Sequence, residues 1–261
     1  MNPTMPLPTD VRLMNWTASA LIWIFAGMVL VALFSVLMRS PAFAIKTISV
    51  SGDVLHNNVP TLRANLAPKL SGSFLTLDLA KARDALEAVP WVRKAAVRRE
   101  FPNQLKVILQ EHQTAAYWGL ESESRLLNTE GEIFEANVDE VGQDALPRLY
   151  GPNDQAKYLL SAYRLMQPAF AALDLELNQL ELSERGGWQA RLENGASLQL
   201  GRGNAQEILE RVQLFLKTLT QVTARYGRNP DALESADLRH KDGYAVRLRG
   251  VTTTITPVAQ K

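Results

Sequence analysis

The stretch that decides how this chain is built is Trp16–Met38, WTASALIWIFAGMVLVALFSVLM. It holds no charged residue and no proline. As a helix rising 1.5 Å per residue it is about 35 Å long, enough to cross a hydrocarbon core of about 30 Å with slight tilt. Trp16 and Trp23 in its first half and Arg39 at its end are suitable interfacial anchors. A helix buried in a soluble core normally keeps a polar face, and this run has none. Ala42-Phe43-Ala44 matches a cleavage pattern for secretory signals, but those carry an apolar run of only about 7–15 residues. This run is longer, and Pro41 separates it from the candidate cleavage site. The expectation is an uncleaved anchor at 16–38. Residues 1–15, with Pro3, Pro6 and Pro8 and no apolar periodicity, read as a short disordered tail.

The flanking charges leave the anchor's direction open. The Met1 amine and Arg12 are opposed by Asp10 on one side, and Arg39 and Lys46 stand on the other, so the positive-inside rule does not decide it. The absence of cysteine is compatible with export without proving it. The chain's 261 residues leave room for the anchor and one or two small domains. A net charge of +1 gives no general attraction to nucleic acid.

Beyond the anchor, the periodicity predicts a strand through Ile48 and Val50 that ends at Ser51-Gly52-Asp53, then a helix over Val59–Leu70. A second helix over Ala80–Val89 has Asp78 as its N-cap and stops at Pro90. Strands at Val92–Arg99 and Gln104–Gln110 are joined by Glu100-Phe101-Pro102-Asn103. Strand, helix, helix, strand, strand suits a small sheet with both helices on one face, an α+β unit. The rest reads as mostly strand and turn. A hairpin spans Leu126–Phe134, a short strand lies within Leu146–Pro152, and a helix over Ala156–Met166 ends at Pro168. The hairpin Trp188–Leu200 turns at Asn194-Gly195 in the type I′ manner. The best helix of this part follows, with Ile208, Val212, Phe215, Leu219, Val222 and Tyr226 in one stripe, Asn204 as cap and Gly227 as terminator. A last hairpin turns at Asp242-Gly243 and leads into a strand over Tyr244–Arg249.

Little of this suggests catalysis. His56, His112 and His240 are far apart, and none has a metal-binding neighbour at i+3 to i+5. There is no cysteine nucleophile and no G-x-S-x-G or S-x-x-K pattern. Gly201-Arg202-Gly203 lacks the third glycine of a dinucleotide fingerprint, so it reads as a tight turn. Glu121–Asp144 collects eight carboxylates against Arg125 alone, without EF-hand spacing, and reads as a solvated acidic surface. Arg93, Lys94, Arg98 and Arg99 lack interleaved aromatics and read as an exposed sheet edge rather than a nucleic-acid site. The residues point away from an enzyme, with no cofactor, metal or small-molecule substrate.

One stretch is more specific. Val89-Pro90-Trp91-Val92-Arg93-Lys94-Ala95-Ala96-Val97-Arg98-Arg99-Glu100-Phe101-Pro102-Asn103-Gln104-Leu105-Lys106-Val107, followed by Glu111-His112-Gln113, resembles the FtsQ/DivIB family of bacterial cell-division proteins. Leu127–Phe134, Leu146-Pro147 with Gly151-Pro152, Trp188, Asn194-Gly195, Leu200-Gly201-Arg202 and Asp237-Leu238-Arg239 fit the same family, so the likeness covers nearly the whole chain. The resemblance implies a single transmembrane helix followed by a POTRA domain and a β-rich C-terminal domain. In residue terms these are a cytoplasmic tail at 1–15, the inner-membrane span at 16–38, the POTRA domain at 43–113, the β domain at 114–256 and a disordered tail at 257–261. It further implies periplasmic domains at the division septum, no catalytic activity, and recruitment of other division proteins, notably FtsB and FtsL. The family's partner adds a strand to the last strands of the β domain. The positions matching that site are Arg185, Trp188, Phe215, Arg239, His240, Asp242, Tyr244, Val246 and Leu248. For Trp188, Phe215 and Val246 a plain place in the core is the equal alternative. The family usually has tyrosine at His240 and tryptophan at Leu248, and often proline at Thr114 and tryptophan at Phe101. The first two departures weaken the side-chain part of the site, but strand addition rests on main-chain groups. A POTRA protein of a secretion or outer-membrane assembly pathway is the alternative function, though no series of alternating, aromatic-girdled barrel strands follows. An anchored cell-wall hydrolase using the acidic stretch is a third.

Overall fold

The computed structural model describes residues 9–38, 44–57, 60, 62, 74–123, 125–142, 146–240 and 243–251. The first element is α1 (Thr9–Met38), so the helix starts well before Trp16 and takes in part of the stretch expected as tail. Its Leu13–Val36 segment is long and apolar enough to cross a membrane, and none of it is buried. The helix continues through Asp10 because that carboxylate lies in the first turn, where it meets the positive end of the helix dipole.

The chain divides into two compact units, at Glu111/His112. The first holds β1 (Thr47–Gly52), α2 (Leu79–Glu87), β2 (Val92–Glu100) and β3 (Gln104–Glu111). Their sheet has the order β1-β3-β2, with β1 parallel and β2 antiparallel to β3. Asp78 caps α2 as expected, accepting from the N–H groups of Ala80 and Lys81 at 3.0 and 3.2 Å. Alternate residues of β3, Leu105, Val107 and Leu109, are buried, and the last two pack with Leu62, Leu86, Val92 and Ala95. The helix expected over Val59–Leu70 falls outside the described residues except at Pro60 and Leu62, which are helical.

Two polar clasps hold the segments between these elements. Glu111 is only 5% exposed. Its carboxylate accepts from the N–H groups of Leu55, His56 and Asn57 and from Asn57 Nδ2, at 2.8–3.1 Å. His56 lies 3.2 Å from the same carboxylate and stacks on Trp91 with ring centres 3.8 Å apart. Arg99 donates to the carbonyls of Phe74, Leu75 and Leu77, which pins that segment to β2.

The second unit is built on one mixed sheet of nine strands. These are β4 (Thr114–Trp118), β5 (Arg125–Asn128), β6 (Ile133–Glu135), β7 (Arg148–Tyr150), β8 (Leu177–Leu182), β9 (Gly187–Leu192), β10 (Ser197–Arg202), β11 (Leu233–Asp237) and β12 (Ala245–Leu248). Their order is β12-β11-β10-β9-β8-β7-β4-β5-β6. Helices α3 (Ala156–Ala171) and α4 (Ala205–Arg225) pack on each other and on the sheet. One continuous apolar core results, with Trp118, Phe170, Trp188 and Phe215 each at most 1% exposed.

Four local expectations are corrected. Helix α3 passes through Pro168 instead of stopping there. A proline removes one hydrogen bond and crowds the preceding turn, but Phe170 beyond it is fully buried, and core packing holds the last turn. The β9–β10 turn is not type I′, because Asn194 does not have positive φ. Gly195 N–H instead returns to Leu192 O at 2.9 Å, and Gly195 alone is left-handed (φ 85°), a three-residue loop made of a type I turn and a glycine bulge. Asn194 is occupied otherwise, accepting from Ala196 N–H and donating to Asp231 O. Gly201-Arg202 is not a turn but the end of β10, with a bulge between Gln199 and Gly201. In α4 the buried stripe runs through Ile208, Val212, Phe215, Leu216, Leu219 and Thr223, while Tyr226 is exposed. The Asn204 cap is present as a full capping box with Glu207.

The Glu111 clasp makes a test. Glu111→Ala removes the acceptor of three backbone N–H groups, a loss of about 1–3 kcal/mol of local stability. Hydrogen exchange on the full chain is expected to show faster exchange at Leu55, His56 and Asn57, with β8–β10 unchanged. Unaltered exchange at those three amides would show that the carboxylate is not their support.

Candidate partner-binding site

Strand β12 terminates the nine-stranded sheet. It pairs antiparallel with β11, with Ala236 opposite Val246 and Asp237 opposite Ala245, and among the described residues no strand lies on its other side. Arg249 N–H donates to Ala232 O at 2.8 Å, which is toward β11. Backbone groups alternate in direction along a strand. Arg247 and Ala245 therefore also face β11, and the N–H groups of Val246 and Leu248 face outward.

Beside this edge is a cleft of about 520 Å³ between α4 and the segment joining β11 to β12. Glu207, Glu210, Arg211 and Leu214, spaced along one face of α4, line one wall. Leu238, Arg239, His240, Gly243 and Tyr244 line the other, with Phe215 at the back. Leu214 is 65% exposed, an apolar side chain on the polar face of an amphipathic helix. Tyr244 sets the spacing of the walls. Its ring meets Phe215 edge-on at 5.0 Å, and its hydroxyl bonds to Thr218 Oγ1 at 2.5 Å.

Arg239 is held by Asp237, two residues before it. The carboxylate accepts from Arg239 N–H at 3.0 Å, from Nε at 2.9 Å and from Nη2 at 2.6 Å. Those hydrogen bonds, and the guanidinium charge behind them, hold the Asp237 carboxyl at about 2 and raise Arg239 above its ordinary value. A guanidinium has five N–H donors, and Asp237 leaves those on Nη1 unused. Arg211 crosses from α4 to the carbonyl of Leu200 at the β10 bulge. Gly201 is needed there because its φ is +88°, a backbone conformation that a side chain would strain.

The structure gathers part of the expected residue set. Phe215, Arg239, His240 and Tyr244 share the cleft, and Val246 lies on the adjoining edge strand. Arg239 and His240 are exposed, whereas Phe215 is 1% and Leu248 6% exposed. Trp188 is not at the surface. It is 1% exposed in β9, donates Nε1–H to Gly203 O at 2.9 Å and packs edge-on against Tyr158. Arg185 is elsewhere, in the β8–β9 loop, lining a separate groove with Tyr150, Pro152 and Glu181. Asp242 lies outside the described residues. Sequence reading missed Glu207, Glu210, Arg211, Leu214 and Asp237. Leu214, out of phase with the buried stripe, was the available signal. Among the described residues no cluster of three or more His, Asp or Glu is placed to hold a metal ion.

Comparison with known proteins agrees with this architecture. Residues 43–112 match the FtsQ-type POTRA domain, and residues 116–239 match the C-terminal domain of cell division protein FtsQ/DivIB. A Burkholderia pseudomallei protein named cell division protein FtsQ is 37% identical over 243 residues, covering 93% of this chain and 94% of the relative. The chain belongs to the FtsQ/DivIB family. Relatives of the same name from Thiomonas arsenitoxydans and Bordetella pertussis are 36% and 33% identical, each covering at least 90% of both chains. As an FtsQ-family chain it is a cell-division protein, with a POTRA domain and a β-rich C-terminal region after an apolar helix.

The Asp237–Arg239 pair has a measurable signature. A carboxyl held at about 2, against about 3.9 when free, stabilises the fold fully above the free value and ceases to do so as pH falls through about 2. A carbon-detected NMR titration is expected to place the Asp237 midpoint near 2, and Arg239→Ala to return it toward the usual carboxylate range. The same midpoint in both proteins would contradict the pairing.

Proposed function

We propose that this chain is a non-enzymatic scaffold of the division machinery that takes a strand from a partner on the outer edge of β12. In this reading α1 spans the inner membrane at 16–38 with residues 1–15 cytoplasmic. The POTRA domain (43–113) and β domain (114–256) are periplasmic and gather at the septum. The single observation that carries the reading is the outward set of N–H groups on β12 beside a cleft that presents Arg239. An extended segment adding to that edge gains main-chain hydrogen bonds, and side chains beside it choose the partner.

The family resemblance makes FtsB the strand donor, with FtsL in the same complex. Arg239, oriented by Asp237, offers its remaining donors to a carboxylate on the partner. His240 and Tyr244 shape the entrance, and Val246 supplies an outward N–H. Phe215, Trp188 and Leu248 act from beneath, by fixing the helix and strands that form the cleft. With histidine at 240 and leucine at 248, the backbone ladder carries a larger share of recognition here than in relatives with tyrosine and tryptophan.

The test uses proline. Val246→Pro removes an N–H that faces away from β11, so the native ladder keeps its bonds while the outer edge loses a donor. The variant is expected to stay folded, with a melting temperature within a few degrees of the parent, and to lose co-purification with FtsB. A folded variant that still binds FtsB would reject strand addition at this edge.

A further inference from the structure

In the smaller sheet, β1 begins level with the β2–β3 turn. Thr47 is opposite Gln104, and Lys46 N–H donates to Asn103 O at 3.0 Å. That turn presents Phe101 with 83% of its surface exposed. Leu75, 40% exposed, is drawn toward the same end, because Arg99 lies one rung inside the turn and holds the carbonyls of residues 74, 75 and 77. The next rung pairs Arg98 with Lys106. Within these rungs the acid is Glu100, and it is paired with Lys106 at 3.4 Å. This end of the sheet therefore combines an unsheltered aromatic ring with a surplus of cations from Lys46, Arg98 and Lys106.

Connectivity says what lies opposite. Residues 39–46 alone join Met38, the last of α1, to Thr47. Eight residues reach at most about 29 Å even when fully extended. The 24 residues Leu13–Val36 give a helix of about 36 Å, so a bilayer with a core of about 30 Å places the end of α1 at its headgroup layer. The Phe101 turn adjoins Lys46, so its tether holds it within about 29 Å of that layer. The opposite end of β3 lies about 25 Å farther along the sheet.

We infer that the β2–β3 turn seats on the membrane that α1 crosses, with Phe101 in the interfacial layer and Lys46, Arg98 and Lys106 facing anionic lipid headgroups. An exposed apolar ring such as that of Phe101 gains by burial at the headgroup/acyl boundary. Each cation beside an anionic surface adds attraction that fades within a Debye length. The contact orients the small domain against the bilayer. It rests on α1 spanning the membrane, not on which partner the chain binds.

The chain has no cysteine, so one introduced thiol is unique. Full-length protein is placed in vesicles of phosphatidylethanolamine and phosphatidylglycerol, with a nitroxide on Gln104→Cys beside the turn, on Lys94→Cys toward the far end of β2, or on Leu30→Cys in α1. The Gln104 label is expected to be several-fold less accessible to a water-soluble nickel chelate than the Lys94 label. Adding Phe101→Ser, or replacing phosphatidylglycerol with phosphatidylcholine, is expected to raise its accessibility toward that of Lys94. Equal accessibility at Gln104 and Lys94, with Leu30 shielded, overturns the inference and leaves the anchor standing. A Leu30 label open to the chelate overturns the spanning reading and this inference with it. Shielding at Gln104 that grows with the protein-to-lipid ratio also overturns it, since the contact is then between copies of the chain.

Discussion

A β-strand carries hydrogen-bonding groups along two sides, and β12 has a strand on only one of them among the described residues. This constraint organises the second unit. Exposed edges invite pairing, and folded proteins usually blunt them. The chain does so elsewhere. At the other end of the large sheet β6 is three residues long. Asn128 holds the β5–β6 turn, accepting from Glu130 and Glu132 N–H groups at 3.0 and 2.8 Å. In the small sheet the edge strand β2 has its Ala95 N–H taken by the Glu87 carboxylate of α2 at 3.0 Å. The arginines at this margin turn back into their own unit. Arg247 reaches Glu234, and Arg249 reaches the Asn194 carbonyl. Among the described residues no strand lies beside the outward N–H groups of Val246 and Leu248, and Leu248 O accepts from Val251 N–H at 3.3 Å.

The packing behind β12 explains why the opening persists. Phe215 and Tyr244 brace α4 against the return from β11 to β12, and Thr218 takes the Tyr244 hydroxyl. Arg211 ties the other side of α4 to the β10 bulge that Gly201 permits. These contacts separate helix and sheet margin by a fixed gap instead of letting Leu214 collapse onto β12. Asp237 meanwhile holds the Arg239 guanidinium, across the cleft from Glu207 and Glu210. The charge is held in place by a neighbour two residues away.

Much of this was legible in the sequence because it depends on local chemistry. The apolar run, the Asp78 and Asn204 caps and the hairpins need only neighbouring residues to be read. The errors arose where distant packing overrode local preference. Pro168 predicts a helix end, but burial of Phe170 carries α3 three residues further. Asn194-Gly195 predicts a type I′ turn, but Asn194 serves Asp231 and Ala196 instead. Gly201 reads as a turn residue until the bulge beneath Arg211 is seen. For the cleft, Arg239 and Tyr244 were expected from family likeness, whereas Glu207, Glu210 and Arg211, which line it with them, lie on a helix far away in sequence. Trp188 and Val246 looked equally suited to a surface or a core, since hydrophobicity alone does not say which side of a sheet a residue takes.

The most direct measurement is amide exchange at β12 in the full-length protein, alone and saturated with FtsB. Val246 and Leu248, whose N–H groups face outward, are expected to exchange quickly in the free protein and to become strongly protected in the complex. Ala245 and Arg247, already bonded to β11, should change little. Unchanged exchange at Val246 and Leu248 in a saturated complex would contradict strand addition at this edge.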